Sequence, residues 1–285
     1  MNNEDLAILK KMRQVFLADR ESSALNYWEN VEHIALYEKF FARRIAWKWH
    51  SVLEELNRVE WRIPPHINCI IDWGCGSGVA AETVLNVFPE TTSLSFYFID
   101  RSPIATGYSA KKLAMSHPTI KTLQNQMPTK LSAALLIVSH VLTELSPSQR
   151  QSLFELATQC AAVIWVEPGT QFCANALVDF REIALKHHQI VSPCFHQQPC
   201  GLLLPENERH WCHFFGASPT HVFHDAEWRM FSRELEIDLR SLPVSWMVTE
   251  KKPINMPITV PNQCVNHRVL ARPRPLKRSH SYYCM

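Results

Sequence analysis

The stretch Ile70-Ile71-Asp72-Trp73-Gly74-Cys75-Gly76-Ser77-Gly78 constrains this chain more than any other. An apolar, strand-like opening runs into three glycines within five positions, and a helical pattern starts at Val79. Glycine lets the backbone turn through φ values closed to other residues and approach a ligand with no Cβ in the way. The helix that follows presents free N–H groups to a polar or anionic group at the turn. Strand, glycine turn and helix N-terminus together open a Rossmann-like unit and predict a parallel α/β sheet.

The spacing separates two classes of ligand. A dinucleotide-binding turn reads G-x-G-x-x-G, whereas this one reads G-x-G-x-G with Asp72 two residues before the first glycine. An acid there suits a cofactor carrying an ammonium group, which a pyrophosphate-binding turn has no need to meet. Asp100 closes the apolar run 94–100, 22 positions past Gly78, where a carboxylate can accept both hydroxyls of a ribose. Asp72, Gly74, Gly76, Gly78 and Asp100 therefore predict an S-adenosylmethionine site. A glycine turn by itself fits a strand–helix junction without ligand equally well; the two acids decide between the readings.

The rest of the chain is organised around this unit. Residues 3–20 and 28–58 read as helices, the second with Ile34, Phe41, Ile45, Val52, Leu53 and Leu56 on one face. Apolar runs at 67–72, 94–100, 133–139 and 161–167 read as strands buried on both sides, separated by helical segments at 79–88, 103–116, 147–159 and 173–188. After Val191 a Pro- and Cys-rich stretch, 193–216, breaks the rhythm; a helix near 224–240 and strands at 244–249 and 267–272 follow. These last two runs are the expected antiparallel pair of a methyltransferase sheet. The resulting division is an N-terminal helical region at 1–63, a Rossmann-like cofactor-binding core at 64–190, and a Cys-rich metal-binding segment with the final strands at 191–285.

Composition narrows the function classes. With 29 basic and 27 acidic residues and a net charge of +2, the chain is no polyelectrolyte, so any nucleic-acid surface is a local patch. Residues 267–280 form such a patch, with five Arg or Lys and no acid. No apolar run approaches the ~20 residues of a membrane span, and the first residues resemble neither a secretory nor a transit signal. The expectation is a cytoplasmic protein without membrane or DNA partners. Nine cysteines, an odd number at uneven spacings, argue against a disulfide framework. Cys194, Cys200 and Cys212 lie within 19 residues, beside His196 and His213. Such a group suits thiolate ligation of zinc or an iron–sulfur cluster, or else a set of small buried hydrophobes. On the substrate side, Ser139-His140-Val141-Leu142-Thr143-Glu144 lacks the Asn/Asp-Pro-Pro-aromatic tetrad of amino-directed nucleic-acid methyltransferases. His140 suits a general base or a polar strand cap, and no catalytic base is assigned.

In this order the motifs resemble the methyltransferase-like proteins that assemble the small ribosomal subunit, known from mitochondria and bacteria. The carrying segments are the glycine loop, Ser139-His140-Val141-Leu142-Thr143-Glu144-Leu145, Glu167-Pro168-Gly169-Thr170, Pro193-Cys194-Phe195-His196, Trp211-Cys212-His213-Phe214 and Pro275-Leu276-Lys277-Arg278. The resemblance covers about residues 27–284. It implies a four-iron, four-sulfur cluster on Cys194, Cys200, Cys212 and Cys284, with Cys264 competing for the fourth place, and binding to small-subunit ribosomal RNA. Phe195 stands where the family usually has proline. The reading is thus an S-adenosylmethionine-binding protein with a cluster, acting on the small subunit through RNA methylation, assembly or both. The alternatives are a methyltransferase of another substrate with zinc-bound or structural cysteines, and a non-catalytic RNA-binding scaffold.

Overall fold

The computed structural model describes residues 1–17, 28–252, 274–276 and 279–283. Three strands at the centre, β1 (Cys69–Trp73), β4 (Ala134–Ser139) and β5 (Ala162–Pro168), are buried almost throughout. Side chains alternate between the faces of a strand, and both faces here are apolar. Ile70, Leu135, Ile137 and Ile164 pack on one side with α3 (Arg43–Arg58) and α4 (Val79–Val87). Ile71, Leu136, Val138 and Trp165 pack on the other with α6 (Pro147–Gln159) and α7 (Gln171–Ala184). Continuous apolar runs and helices on both sides are what a parallel sheet requires.

The sheet order is β3-β2-β1-β4-β5-β8-β6, with short β7 (Phe214–Phe215) beside the start of β8. Strands β2 (Ser95–Ile99) and β3 (Thr122–Gln124) extend one edge in parallel, with α5 (Pro103–Ser116) between them in sequence. On the other side β8 (Pro243–Lys251) runs antiparallel to both β5 and β6 (His188–Ser192). The expected antiparallel pair is therefore corrected: β8 inserts between β5 and β6, and its partners come from earlier in the chain. The run 188–192, too short and too close to a helix to stand out, forms the edge strand, while 267–272 lies outside the described residues. A two-stranded ribbon of β9 (Arg274–Leu276) and β10 (Ser279–Tyr283) forms a separate sheet.

The N-terminal helices share this core. Ile45, Trp49, Val52, Leu53 and Leu56 of α3 belong to the same cluster as Ile70 of β1, so this helix packs into the core of the sheet. A π-helical turn, Glu38–Ala42, joins α2 (Val31–Tyr37) to α3. Phe40 in that turn stacks on Phe231 of α8 (Ala226–Glu234), ring centroids 4.9 Å apart. Leu9 of α1 (Asn3–Leu17) joins the same cluster. Early and late parts of the chain thereby hold α1 beside the sheet. Among the described residues no helix is long and apolar enough to cross a membrane.

Close approach at the end of β5 is testable. A Cβ on Gly169 would lie 2.7 Å from the Val244 nitrogen and 2.9 Å from the Pro243 carbonyl carbon, both backbone atoms of β8, whereas one on Gly201 meets nothing within 4 Å. Gly169→Ala is expected to lower stability by about 1–3 kcal/mol, and Gly201→Ala to leave it unchanged, in urea denaturation. Equal midpoints for the two variants would contradict this packing.

Candidate functional site

At the carboxyl ends of the strands, where the strand order reverses between β1 and β4, lies a cavity of about 490 Å³. This is the position at which open α/β sheets bind their ligands. Its floor is the glycine loop from Trp73 to Ser77 with Asp100 and Arg101. Ser139 at the end of β4 with His140 and Val141 after it, and Pro168 at the end of β5 with Thr170 beyond, form one wall. The other wall and roof come from the N-terminal helices: Phe16, Trp28, Tyr37, Phe41, Arg44 and Lys48.

The loop depends on its glycines. Gly74, Gly76 and Gly78 all have positive φ, +70°, +51° and +73°. At Gly74 a Cβ would also collide with Val141 Cγ1 at 2.4 Å, whereas at Gly76 only Trp28 comes near, at 3.9 Å, so the loop is open toward the cavity at Gly76. The Gly74 and Cys75 N–H groups donate to the Ile99 carbonyl at 2.8 and 3.1 Å. Asp100 continues this stitching: Oδ2 accepts from the Gly76 N–H at 3.0 Å and Oδ1 from the Ser102 N–H at 2.9 Å. Burial raises its pKa, and the Ser102 and Gly76 N–H groups oppose that shift. Each carboxylate oxygen keeps a further lone pair for a diol in the cavity.

Asp72 behaves differently from the expectation. It is fully buried, its Oδ2 accepts from the Ala81 N–H in the first turns of α4 at 3.4 Å, and its Oδ1 has no partner. Desolvation holds its carboxyl well above the usual range. Asp72 does not line the cavity, and neither does Gly78; both act from behind the loop, on the α4 N-terminus. A carboxylate aimed at a ligand's ammonium would need a face open to the cavity.

Where the turn after β4 meets α3, the cavity carries chemistry that sequence reading only partly located. Glu167 Oε1 accepts from the Trp165 indole at 2.8 Å and from the Val141 and Leu142 N–H groups at 3.0 and 3.3 Å. It thereby fixes the turn that follows β4. His140 sits in that turn with φ +57°, its N–H bonded to the Val166 carbonyl at 3.0 Å. Its Nε2 lies 3.1 Å from Lys48 Nζ and its Nδ1 3.4 Å from Ser139 Oγ, which also accepts from the Trp49 indole at 2.9 Å. Burial, then Lys48 and Arg44, hold the His140 imidazole well below its usual range. A neutral ring accepts from Lys48 at Nε2 and donates from Nδ1, a tautomer assigned from these partners. Lys48 and Arg44 were not singled out from the sequence. The available signal was spacing: Phe41, Ile45 and Val52 place Lys48 on the apolar face of its helix, an unusual place for a lysine.

Among the described residues no three His, Cys, Asp or Glu side chains come close enough to hold a metal. Cys194, Cys200 and Cys212 are partly exposed, whereas Cys69, Cys75, Cys160 and Cys173 are buried. The backbones of Cys200 and Cys212 are held to different elements. The Cys200 N–H donates to Glu182 of α7 at 3.3 Å, and the Cys212 carbonyl accepts from Ser245 of β8 at 2.8 Å. The metal-binding insertion expected at 191–285 is thus not formed by the described residues. Cys264 and Cys284 lie outside them. The segment does flank the carboxyl ends of the strands, since the Trp211 indole donates to the Gly169 carbonyl at 3.1 Å.

The buried pair Lys48 and Glu167 has a pH signature. Burial, reinforced by Arg44, lowers Lys48 to about 7 against partial support from Glu167 and Cys173. Burial raises Glu167 to about 7, against its N–H donors and Lys48. Between about 7 and 10.5 the unfolded chain binds more protons at Lys48 than the folded one, so stability rises with pH there. Between 4.5 and about 7 the folded state binds more at Glu167, and stability falls as pH rises. Lys48→Met is expected to be more stable than the parent at pH 7, with the gain shrinking toward pH 10 in urea denaturation. A gain independent of pH would show that Lys48 is not the titrating group.

Among curated proteins, none matches the chain. Of solved structures, the magnesium protoporphyrin IX methyltransferase of Synechocystis aligns at 10% identity and TM-score 0.44, over 88% of this chain and all of that one. A SAM-dependent methyltransferase of Aquifex aeolicus aligns at 13% identity and TM-score 0.42, over 57% of this chain and 90% of that one. Remote in sequence and in superposition, these likenesses fix neither substrate nor activity. The family model described as mitochondrial small ribosomal subunit Rsm22 matches residues 36–241, from the end of α2 to just before β8. That span takes in the loop, the Lys48–His140 wall and the Cys-rich segment, and the chain belongs to the Rsm22 family.

Proposed function

We propose that this protein binds S-adenosylmethionine in the cavity and methylates RNA of the small ribosomal subunit during its assembly. The observation that carries the reading is Asp100, a carboxylate at the cavity floor held by the Gly76 and Ser102 N–H groups. Bound there, the cofactor would supply a methyl group on a sulfonium. Asp100 would accept the ribose hydroxyls, and Gly74 and Gly76 would let the backbone approach. Asp72 and Gly78 would contribute by holding the loop to α4. Ser139, His140 and Thr170 border the cavity at the ends of β4 and β5, where an acceptor base would enter. The family supports the small subunit as partner, as the Rsm22 description names it.

Asp100→Ala is expected to weaken S-adenosylhomocysteine binding about 10- to 100-fold, the loss of hydrogen bonds to a charged acceptor, read by calorimetry. An unchanged affinity would remove Asp100 from the site. Methyl transfer is tested with tritium-labelled cofactor and immature small subunits. Label in RNA, lost with Asp100→Ala, supports the enzyme; tight cofactor binding without label reduces the proposal to an assembly factor that uses the cofactor as a structural ligand.

The finer part of the proposal is an iron–sulfur cluster on Cys194, Cys200, Cys212 and Cys284. Its support is the contrast between three partly exposed thiols in one segment and four buried ones elsewhere. The described residues would have to move together for the cluster to form, and no catalytic role is assigned to it. Anaerobic purification is expected to yield near-stoichiometric iron and acid-labile sulfide, lost when any of the four is changed to serine. Zinc in place of iron, or no metal, would remove the cluster.

A further inference from the structure

Two basic side chains of α3, Lys48 and Arg44, line the cavity without a carboxylate in ion-pair contact among the described residues. Lys48 is only 9% exposed and lines the cavity, and its hydrogen-bond partner is the ring of His140, which carries no negative charge. Arg44, four residues earlier on the same face of α3, also lines the cavity. Its Nη2 donates to the backbone carbonyls of Asp238 and Ser241 at 3.4 and 3.3 Å, while its Nε is buried without a partner. Neither forms an ion pair with a carboxylate among the described residues, although eleven such pairs occur elsewhere in the fold. Glu167 directs one oxygen to three N–H donors and supports the Lys48 charge without forming an ion pair with it, its Oε2 being buried without a hydrogen-bond partner.

Two like charges at i and i+4 destabilise a helix, and buried charges are normally paired or hydrogen-bonded. A fold that holds both cations at a cavity wall, against those costs, is completed by an anion that arrives in the cavity. We propose that Lys48 and Arg44, with His140 as the orienting partner of Lys48, form an oxyanion-binding subsite of this cavity. Two oxyanions can reach it: the carboxylate at the amino-acid end of the cofactor, or a phosphate of the RNA acceptor. The cavity then offers an acid, Asp100, for the ribose and the basic side chains of Lys48 and Arg44 for an oxyanion. The assignment rests on the reading of the cavity as a cofactor site for the carboxylate, and on its cations alone for the phosphate.

The test compares S-adenosylhomocysteine with 5′-methylthioadenosine, which share the adenosine and sulfur but differ in the amino-acid end. Calorimetry is run on the full chain, on Lys48→Met and on Arg44→Met. If the carboxylate is the ligand, Lys48→Met weakens S-adenosylhomocysteine about 10- to 100-fold, as for a lost charge-assisted hydrogen bond, and leaves methylthioadenosine unchanged. Proton uptake on binding near pH 8, seen as a dependence of the heat on buffer ionisation, accompanies the parent and disappears in the variant. If phosphate is the ligand, both nucleosides bind the variants normally, and inorganic phosphate raises the melting temperature of the parent but not of Lys48→Met. Variants that match the parent in both arms overturn the subsite. A parent that binds neither nucleoside sinks the cofactor reading, and the phosphate arm then decides the subsite alone. Folding of the variants is checked by their melting transitions, and Lys48→Met gains stability at pH 7 if folded as described.

Discussion

The site rests on the seam between the glycine loop and the end of β2. Gly74 and Cys75 donate to Ile99, and Gly76 to Asp100, at 2.8, 3.1 and 3.0 Å. Ser109 of α5 closes the other side, its hydroxyl donating to the Gly76 carbonyl at 2.9 Å. Individually such bonds contribute about 1 kcal/mol, yet they are coupled, because one backbone turn satisfies all of them. The positive φ values of the three glycines make that turn accessible, and the collision with Val141 that a Cβ at Gly74 would create leaves no alternative residue there. Any shift of the loop would move Asp100, the start of α4 and the turn after β4 together.

Around this seam the protein spends its buried polar groups unevenly. Asp72 and Glu167 lie beneath the surface and orient backbone, one at the α4 N-terminus and the other at the turn carrying His140. Asp100, Lys48 and Arg44 reach the cavity instead. The first pair fixes the loops from within, through N–H groups that point at Asp72 Oδ2 and Glu167 Oε1. Asp100 is held by two N–H groups, Lys48 contacts the His140 ring and Arg44 donates to two backbone carbonyls, and all three line the cavity where a ligand's polar groups would meet them. Helix α3 links the two roles: Trp49 and Val52 anchor it in the main core while Lys48, on the adjacent strip of its surface, faces the cavity.

Much of this was legible in sequence. The central strands stand out because each is a continuous apolar run, as a strand covered on both faces must be. Helices α5 and α6 are bounded by serine N-caps with proline in the first turn, local signals that no tertiary contact overrides. The strand–turn–helix form of the loop was visible in its glycine spacing, and the place of Asp100 beside it in its distance from Gly78. Strands β3 and β6 carried no comparable signal, being three and five residues long with polar positions among them. The cysteines of the 193–216 stretch were visible as a group, but the anchoring of Cys200 to α7 and of Cys212 to β8 is not encoded in their spacing.

Sequence by itself determined the strand–turn–helix unit, the parallel character of the sheet and the acid at the end of β2, because each is written in local periodicity, in glycine and in the buried run that precedes it. Tertiary structure decided what lies far apart in the chain. It set β8 between β5 and β6, turned Asp72 away from the cavity, and brought Lys48 to His140 across 92 positions of sequence. Pairing and burial of that kind are properties of the packed core, where the identity of a neighbour decides whether a carboxyl or an ammonium keeps its charge.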